Sequence, residues 1–284
     1  MLSKHSRFEG KEMKTSNFLI LFIGCTVFLY EPLYCFQEKK IVIISASYNN
    51  SSWCEKYFHS IVTQEYENWI LIYIDDNSSD DTYYKMQRLI YEYNVEHKVI
   101  LIKNSRRHGH LFNHYYAIHS CNKSNVIAIL DGDDWFAHEH VLEKINEVYQ
   151  DDTIWLTYGQ FWYLKKNRRG FCKSIPPKII ETNKIRELSW RTSHLRTFYA
   201  GLFHAIHYED LLYEGTFFPR CADVATMLPM IEMAGFHIKF IPDVLYIYND
   251  NNPYSFHHDP TIQQMLEAHI KSMRPYLPLK ERPW

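Results

Sequence analysis

The stretch VIAILDGDDW, Val126 to Trp135, decides how this chain is read. Val126 to Leu130 is a short run of apolar and small residues that suits a buried strand, and it stops abruptly at Asp131, Gly132, Asp133 and Asp134. Three carboxylates crowded at the end of a buried strand repel one another and are costly to desolvate. A cation is therefore expected among them, a divalent metal first.

Upstream, the same arrangement recurs. The β-branched run IVIISA, Ile41 to Ala46, ends in the polar turn Ser47, Tyr48, Asn49 and Asn50 and leads into a helical stretch, Trp53 to Thr63. Trp69 to Ile74 is a second apolar run that delivers Asp75 and Asp76 to its end, with Ser79, Asp80 and Asp81 read as turn and cap of the helix Tyr83 to Tyr93. A strand over Val99 to Ile102 and a helix over Leu111 to Ser120 follow. Strands alternating with helices imply right-handed βαβ crossovers and a mainly parallel sheet, and such sheets bind ligands beyond the carboxyl ends of their strands. That rule brings the Ser47 loop, the Asp76 turn and the Asp131 cluster to one rim.

Downstream the pattern is less regular. Ile154 to Tyr163 reads as an edge strand or hairpin arm, Asn183 to Thr197 as a helix, Asp223 to Ala234 as a helix stopped by Gly235, Phe236 to Ile241 as a short strand, and Met265 to Met273 as a helix. Without an internal repeat or low-complexity linker, one domain is preferred over two separable ones.

A formal net charge of −2 supplies no electrostatic grip on nucleic acid, so nucleic acid is not an expected partner. The six cysteines lie scattered without CxxC or Cys/His spacing, which indicates neither a zinc site nor a dense disulfide framework. Lys4, Arg7, Lys11 and Lys14 precede the uncharged run Phe18 to Tyr30, a pattern of a signal peptide or uncleaved signal-anchor over residues 1–38, or else of a buried N-terminal helix. If the signal is used, the protein is expected to be membrane-associated or in the secretory pathway; the alternative is cytoplasmic.

The motifs VIISASYNN, SIVTQEYENWILIYIDDNSSDDT and VIAILDGDDW, in this order and spacing, resemble those of the family 2 glycosyltransferases. What the resemblance implies is an α/β fold of GT-A type, with a Rossmann-like, mainly parallel central sheet flanked by helices and a smaller acceptor-side subregion. It places a nucleotide-sugar-binding half at 39–150, an acceptor and catalytic half at 151–255, and a C-terminal tail at 256–284. The implied activity is metal-dependent, inverting transfer of a sugar from a nucleotide-diphosphate donor, with UDP-linked donors favoured, to an acceptor hydroxyl of a glycan, lipid or protein. Mn²⁺ or Mg²⁺ is the implied metal, a hard cation suited to carboxylate oxygens and to a leaving diphosphate.

By the same resemblance, Asp133 with Asp134 beside it holds the metal, and Asp131 sits near the ribose hydroxyls or the metal shell. Asp76 accepts a hydrogen bond from the base, commonly uracil, with Ala46 and Tyr48 lining the base pocket. Arg107, in the basic loop Arg106, Arg107, His108 and His110, is a candidate diphosphate contact, the alternative being a solvated loop. The chain departs from the family at Phe112, where an Arg often precedes the residue matching Asn113, and at Ala222, where the family usually has a Glu before the Asp. Asp223 is therefore the candidate general base, with a helix N-cap as the other reading. His257 is a candidate metal or phosphate contact, or part of an exposed loop. Trp190, His194 and Arg196 suit either the acceptor cleft or the core. A non-catalytic nucleotide- or glycan-binding protein, or a nucleotidyltransferase, is the competing functional reading.

Overall fold

The computed structural model describes residues 37–253 and 260–284. The N-terminal segment read as a signal and His257 lie outside the described residues. Among the described residues no helix is long and apolar enough to cross a membrane.

The chain runs β1 (Ile41–Ser47), α1 (Cys54–Val62), β2 (Trp69–Asp75), α2 (Thr82–Glu92), β3 (Val99–Lys103), α3 (His110–His119), β4 (Val126–Ile129), β5 (Trp135–Phe136) and α4 (Val141–Val148). It continues with β6 (Leu156–Tyr163), β7 (Arg168–Arg169), α5 (Pro177–Glu181), β8 (Arg196–Tyr199), α6 (Ala200–His204), β9 (Leu212–Tyr213), β10 (Thr216–Phe217), α7 (Ala222–Ala234), β11 (Ile238–Tyr248) and α8 (Pro260–Ser272). The main sheet has the order β3-β2-β1-β4-β8-β6-β11-β5, with β7 paired to β6. Its first four strands are parallel, as the alternating strand and helix signals require. β8 then runs antiparallel to both β4 and β6, whereas β6 and β11 are parallel.

Every residue of β1 is buried, because the strand is covered on both faces and flanked by β2 and β4. The strand order reverses beside β1. A crevice therefore opens at the carboxyl ends of β1, β2 and β4.

The second half corrects three expectations. β6 is a hairpin arm toward β7 but not an edge strand, since it lies between β8 and β11. The predicted helix over 183–197 is a single 3-10 turn, Ile185–Glu187, followed by extended chain and β8. Ser189 to Ser193 is rich in polar, aromatic and β-branched residues with weak helix preference, and strand pairing with β4 and β6 wins. The short strand expected at 236–241 runs to Tyr248, because it pairs along the length of β6. α7 forms as read and ends at Gly235, whose φ of 55° is accessible to glycine. The C-terminal segment packs on the same body: Leu266 and Ile270 are buried, Leu279 N–H donates to the Met233 carbonyl, and Trp284 closes over Gly201.

Candidate active site

The rim begins with backbone. Asp76 N–H donates to the Ser47 carbonyl at 2.8 Å, Asn104 N–H to the Asp75 carbonyl at 2.9 Å, and Ser45 Oγ to the Leu130 carbonyl at 2.5 Å, so the ends of β1, β2 and β4 are locked in register. Gly132 is required here: a Cβ at this position would stand 2.6 Å from both Cβ and Oγ of Ser47. Only a residue without a side chain lets the acid cluster pass under the β1 turn. The Ser79 to Asp81 segment is the turn that the sequence suggests, with Asp80 accepting from the N–H groups of Ser51 and Thr82.

A cavity of about 960 Å³ opens on this rim. Ala46, Tyr48, Asp76, Arg107, Asp131, Asp133, Asp134 and Asp223 all line it. Tyr48 and Arg107 face each other, the guanidinium lying 3.7 Å from the ring centre. Asp76 is nearly buried, and its two oxygens accept from Asn104 Nδ2 at 2.8 Å, His108 N–H at 2.9 Å and Gly109 N–H at 2.8 Å. Burial pushes its pKa up, but the neighbouring Asn113 side chain, the His108 N–H, Asn104 and the Gly109 N–H together outweigh burial and hold it below the ordinary aspartate value. Asp76 thus pins the 104–109 loop at the edge of the cavity.

The three acids of the opening motif differ sharply. Asp134 is buried, with Oδ2 accepting from Tyr246 Oη at 2.5 Å and Oδ1 from Asn249 N–H at 2.7 Å. A metal at Asp134 would share its oxygens with these donors. Asp133 gives one oxygen to Asn252 Nδ2 at 2.7 Å. Burial and the neighbouring Asp131 charge push the Asp133 carboxyl up to about 6, and burial with both neighbouring carboxylates raises Asp134 further. Asp131 faces cations instead: Arg196 Nη2 is 3.8 Å from Oδ2, and His110 Nε2 is 3.8 Å from Oδ1. Burial alone would raise it, yet the His110 and Arg196 charges hold it well below the usual carboxylate range. Its Oδ1 is buried without a hydrogen-bond partner. Crowded acids with raised pKa values, Asp133 and Asp134, fit a divalent cation held by oxygen ligands.

Across the cavity Asp223 lies in the first turn of α7. The N-cap position belongs to Cys221, so Asp223 is not the cap. Burial raises its pKa, opposed by Arg196, whose Nη1 is 4.0 Å from Asp223 Oδ2. The buried Arg196 therefore bridges Asp131, at the end of β4, and Asp223. Reading the sequence left Arg196 and His194 open; both reach the cavity, whereas Trp190 lines a separate small groove. His194 stacks on Tyr246, and burial with the Arg196 charge lowers its pKa to about 3. Tyr246, Asn249 and Asn252 were not legible as site residues, since they reach the acids through the pairing of β11 with β5.

Residues 42–211 of the 284 match the Glycosyl transferase family 2 profile. The chain belongs to that family. Among curated proteins this family member is 29% identical over 146 residues to the UDP-Glc:α-D-GlcNAc-diphosphoundecaprenol β-1,3-glucosyltransferase WfgD of Escherichia coli. The match takes in 51% of this chain and 54% of WfgD, so the chain spans about half the length of that relative. Among solved structures, S. aureus TarS 1-349 in complex with UDP-GlcNAc superposes with a TM-score of 0.56 at 13% identity, over 75% of this chain and 59% of the TarS 1-349 chain. The mannosyltransferase PcManGT of Pyrobaculum calidifontis, in complex with GDP-Man and Mn²⁺, gives 0.54 at 18% identity, over 75% of this chain and 57% of PcManGT. At such identities these likenesses establish the GT-A fold.

Proposed function

We propose that this family 2 glycosyltransferase is a metal-dependent, inverting enzyme that moves a sugar from a UDP-linked donor to an acceptor hydroxyl. The observation that carries this reading is the shared cavity, in which Asp76 and Tyr48 stand on one side, Asp131 and Asp133 in the middle and Asp223 opposite, with Arg196 between. Asp76 offers an acceptor to a base imide N–H, and the Tyr48–Arg107 pair offers a flat cationic wall to base or diphosphate. Asp133, with Asp131 and Asp134 around it, holds the divalent metal, which when bound supplies Lewis-acid stabilisation to the leaving nucleoside diphosphate.

Asp223 takes the proton of the acceptor hydroxyl. Its raised pKa makes it a stronger base than an exposed aspartate, and Arg196 keeps the carboxylate oriented and ionised. A UDP-sugar and a lipid-linked diphosphate acceptor are in keeping with the activity of WfgD. Membrane association through residues 18–30 is part of the proposal and is read by fractionation of the full chain. The decisive experiment is a donor panel scored for released nucleoside diphosphate with and without Mn²⁺. Turnover of one donor that stops on chelation and in Asp133→Ala supports the reading. Pyrophosphate release, or tight nucleotide binding without turnover of any donor, overturns it.

A further inference from the structure

One pair of side chains on the cavity wall, His110 and His114, takes no part in the proposed transfer. His110 and His114 stand one turn apart on α3, on the same helix face, with ring centres 4.6 Å apart. Asp131 faces them from the end of β4. One ligand atom from each of the three lies within 4.8 Å of the others. His114 keeps only 7% of its surface, and its Nε2 is buried without a hydrogen-bond partner; Asp131 Oδ1 is orphaned in the same way. Two unsatisfied buried atoms in one cluster are costly unless something binds between them.

We propose that His110, His114 and Asp131 form a second metal site, one that takes a borderline transition-metal ion of the zinc class. Imidazole nitrogen suits such ions, while an all-oxygen set suits Mg²⁺ or Mn²⁺, so the donor chemistry separates this site from Asp133. The two oxygens of Asp131 divide the work: Oδ2 faces Arg196 and Oδ1 faces His110, which leaves Oδ1 to the ion. Donor atoms on a tetrahedral zinc stand roughly 3.3 Å apart, so the His110 Nε2 to Asp131 Oδ1 separation of 3.8 Å closes with a small movement of the partly exposed His110 ring. Three protein ligands leave a fourth position open to the cavity. A second cluster, Asp131, Asp134 and His194, is less suited, because Asp134 is engaged by Tyr246 and Asn249 and His194 Nδ1 lies 3.4 Å from the Arg196 guanidinium. Cysteine spacing does not announce the site, since its ligands are an i, i+4 histidine pair and an acid 17 residues beyond the second histidine.

The test is Zn²⁺ titration of the full chain against a chromophoric chelator, without nucleotide and with excess Mg²⁺, repeated with Co²⁺ to read visible absorption. The wild-type chain is expected to take up one Zn²⁺ that His110→Ala and His114→Gln lose and Asp133→Ala keeps. Circular dichroism confirms that each variant is folded, and His110→Ala, at the open edge of the cluster, serves if the buried variant fails to fold. Equal zinc uptake by wild type and His110→Ala overturns the proposal, as does full displacement by Mg²⁺ or loss of the event in Asp133→Ala. The zinc event does not depend on the proposed transfer: a chain inert with every donor would still show it.

Discussion

The two sides of the cavity reach the same space by different construction. On the side proposed to bind the donor, β1, β2 and β4 are parallel neighbours, and each hands its polar residues to the rim at its own carboxyl end. On the opposite side, proposed to be the catalytic one, Arg196 comes from an antiparallel strand and Asp223 from a helix start, while Tyr246, Asn249 and Asn252, from the far end of β11 and the turn beyond it, brace the acids on the donor side. The donor side is held by local backbone register with these braces behind its acids, and the catalytic side by the side-chain contacts of Arg196. Damage to the first should appear as lost binding and lost fold together, and damage to the second as lost chemistry with binding kept.

The sharpest break is at Asp223. Asp223→Asn is expected to cut turnover by roughly 10²- to 10⁴-fold, the usual worth of a general base, while calorimetric UDP affinity stays unchanged. In the wild type the rate should climb with pH through the Asp223 pKa, which burial places above the ordinary aspartate value of about 3.9. A variant with lost UDP affinity, or a flat pH profile, would remove the distinction between the two sides.

On the donor side, Gly132→Ala puts a methyl group 2.6 Å from Ser47 and is expected to cost about 1–3 kcal/mol in denaturant unfolding, together with weaker UDP binding. Tyr246→Phe removes the hydroxyl bound to Asp134 and leaves a buried carboxylate oxygen less satisfied. About 1–3 kcal/mol of stability should go with it, and the Mn²⁺ requirement of turnover should shift upward.

The smallest expected effect concerns Asp76. Its folded pKa lies below the unfolded value, so the stability it contributes is present above about pH 4 and is lost as the pH falls through the folded pKa. Urea midpoints at pH 3 and pH 6 should therefore converge for wild type and Asp76→Asn at the lower pH and separate at the higher one. Equal gaps at both would show that the carboxylate charge does not hold the 104–109 loop.

By itself, the sequence determined the parallel half of the sheet. Runs such as IVIISA and VIAIL are apolar throughout because their strands are buried on both faces, and the acids that end them mark the rim by chemistry and order. It also placed Asp223 at the start of a helix, where the structure has it. Only the tertiary structure decided that three adjacent acids have three different surroundings: Asp131 among cations, Asp133 under an amide, and Asp134 between a tyrosine hydroxyl and a backbone N–H. The physical reason is range. Strand and helix signals act over a few residues, whereas the charge state of a carboxylate depends on groups within a few ångströms, here supplied by residues up to 119 positions away.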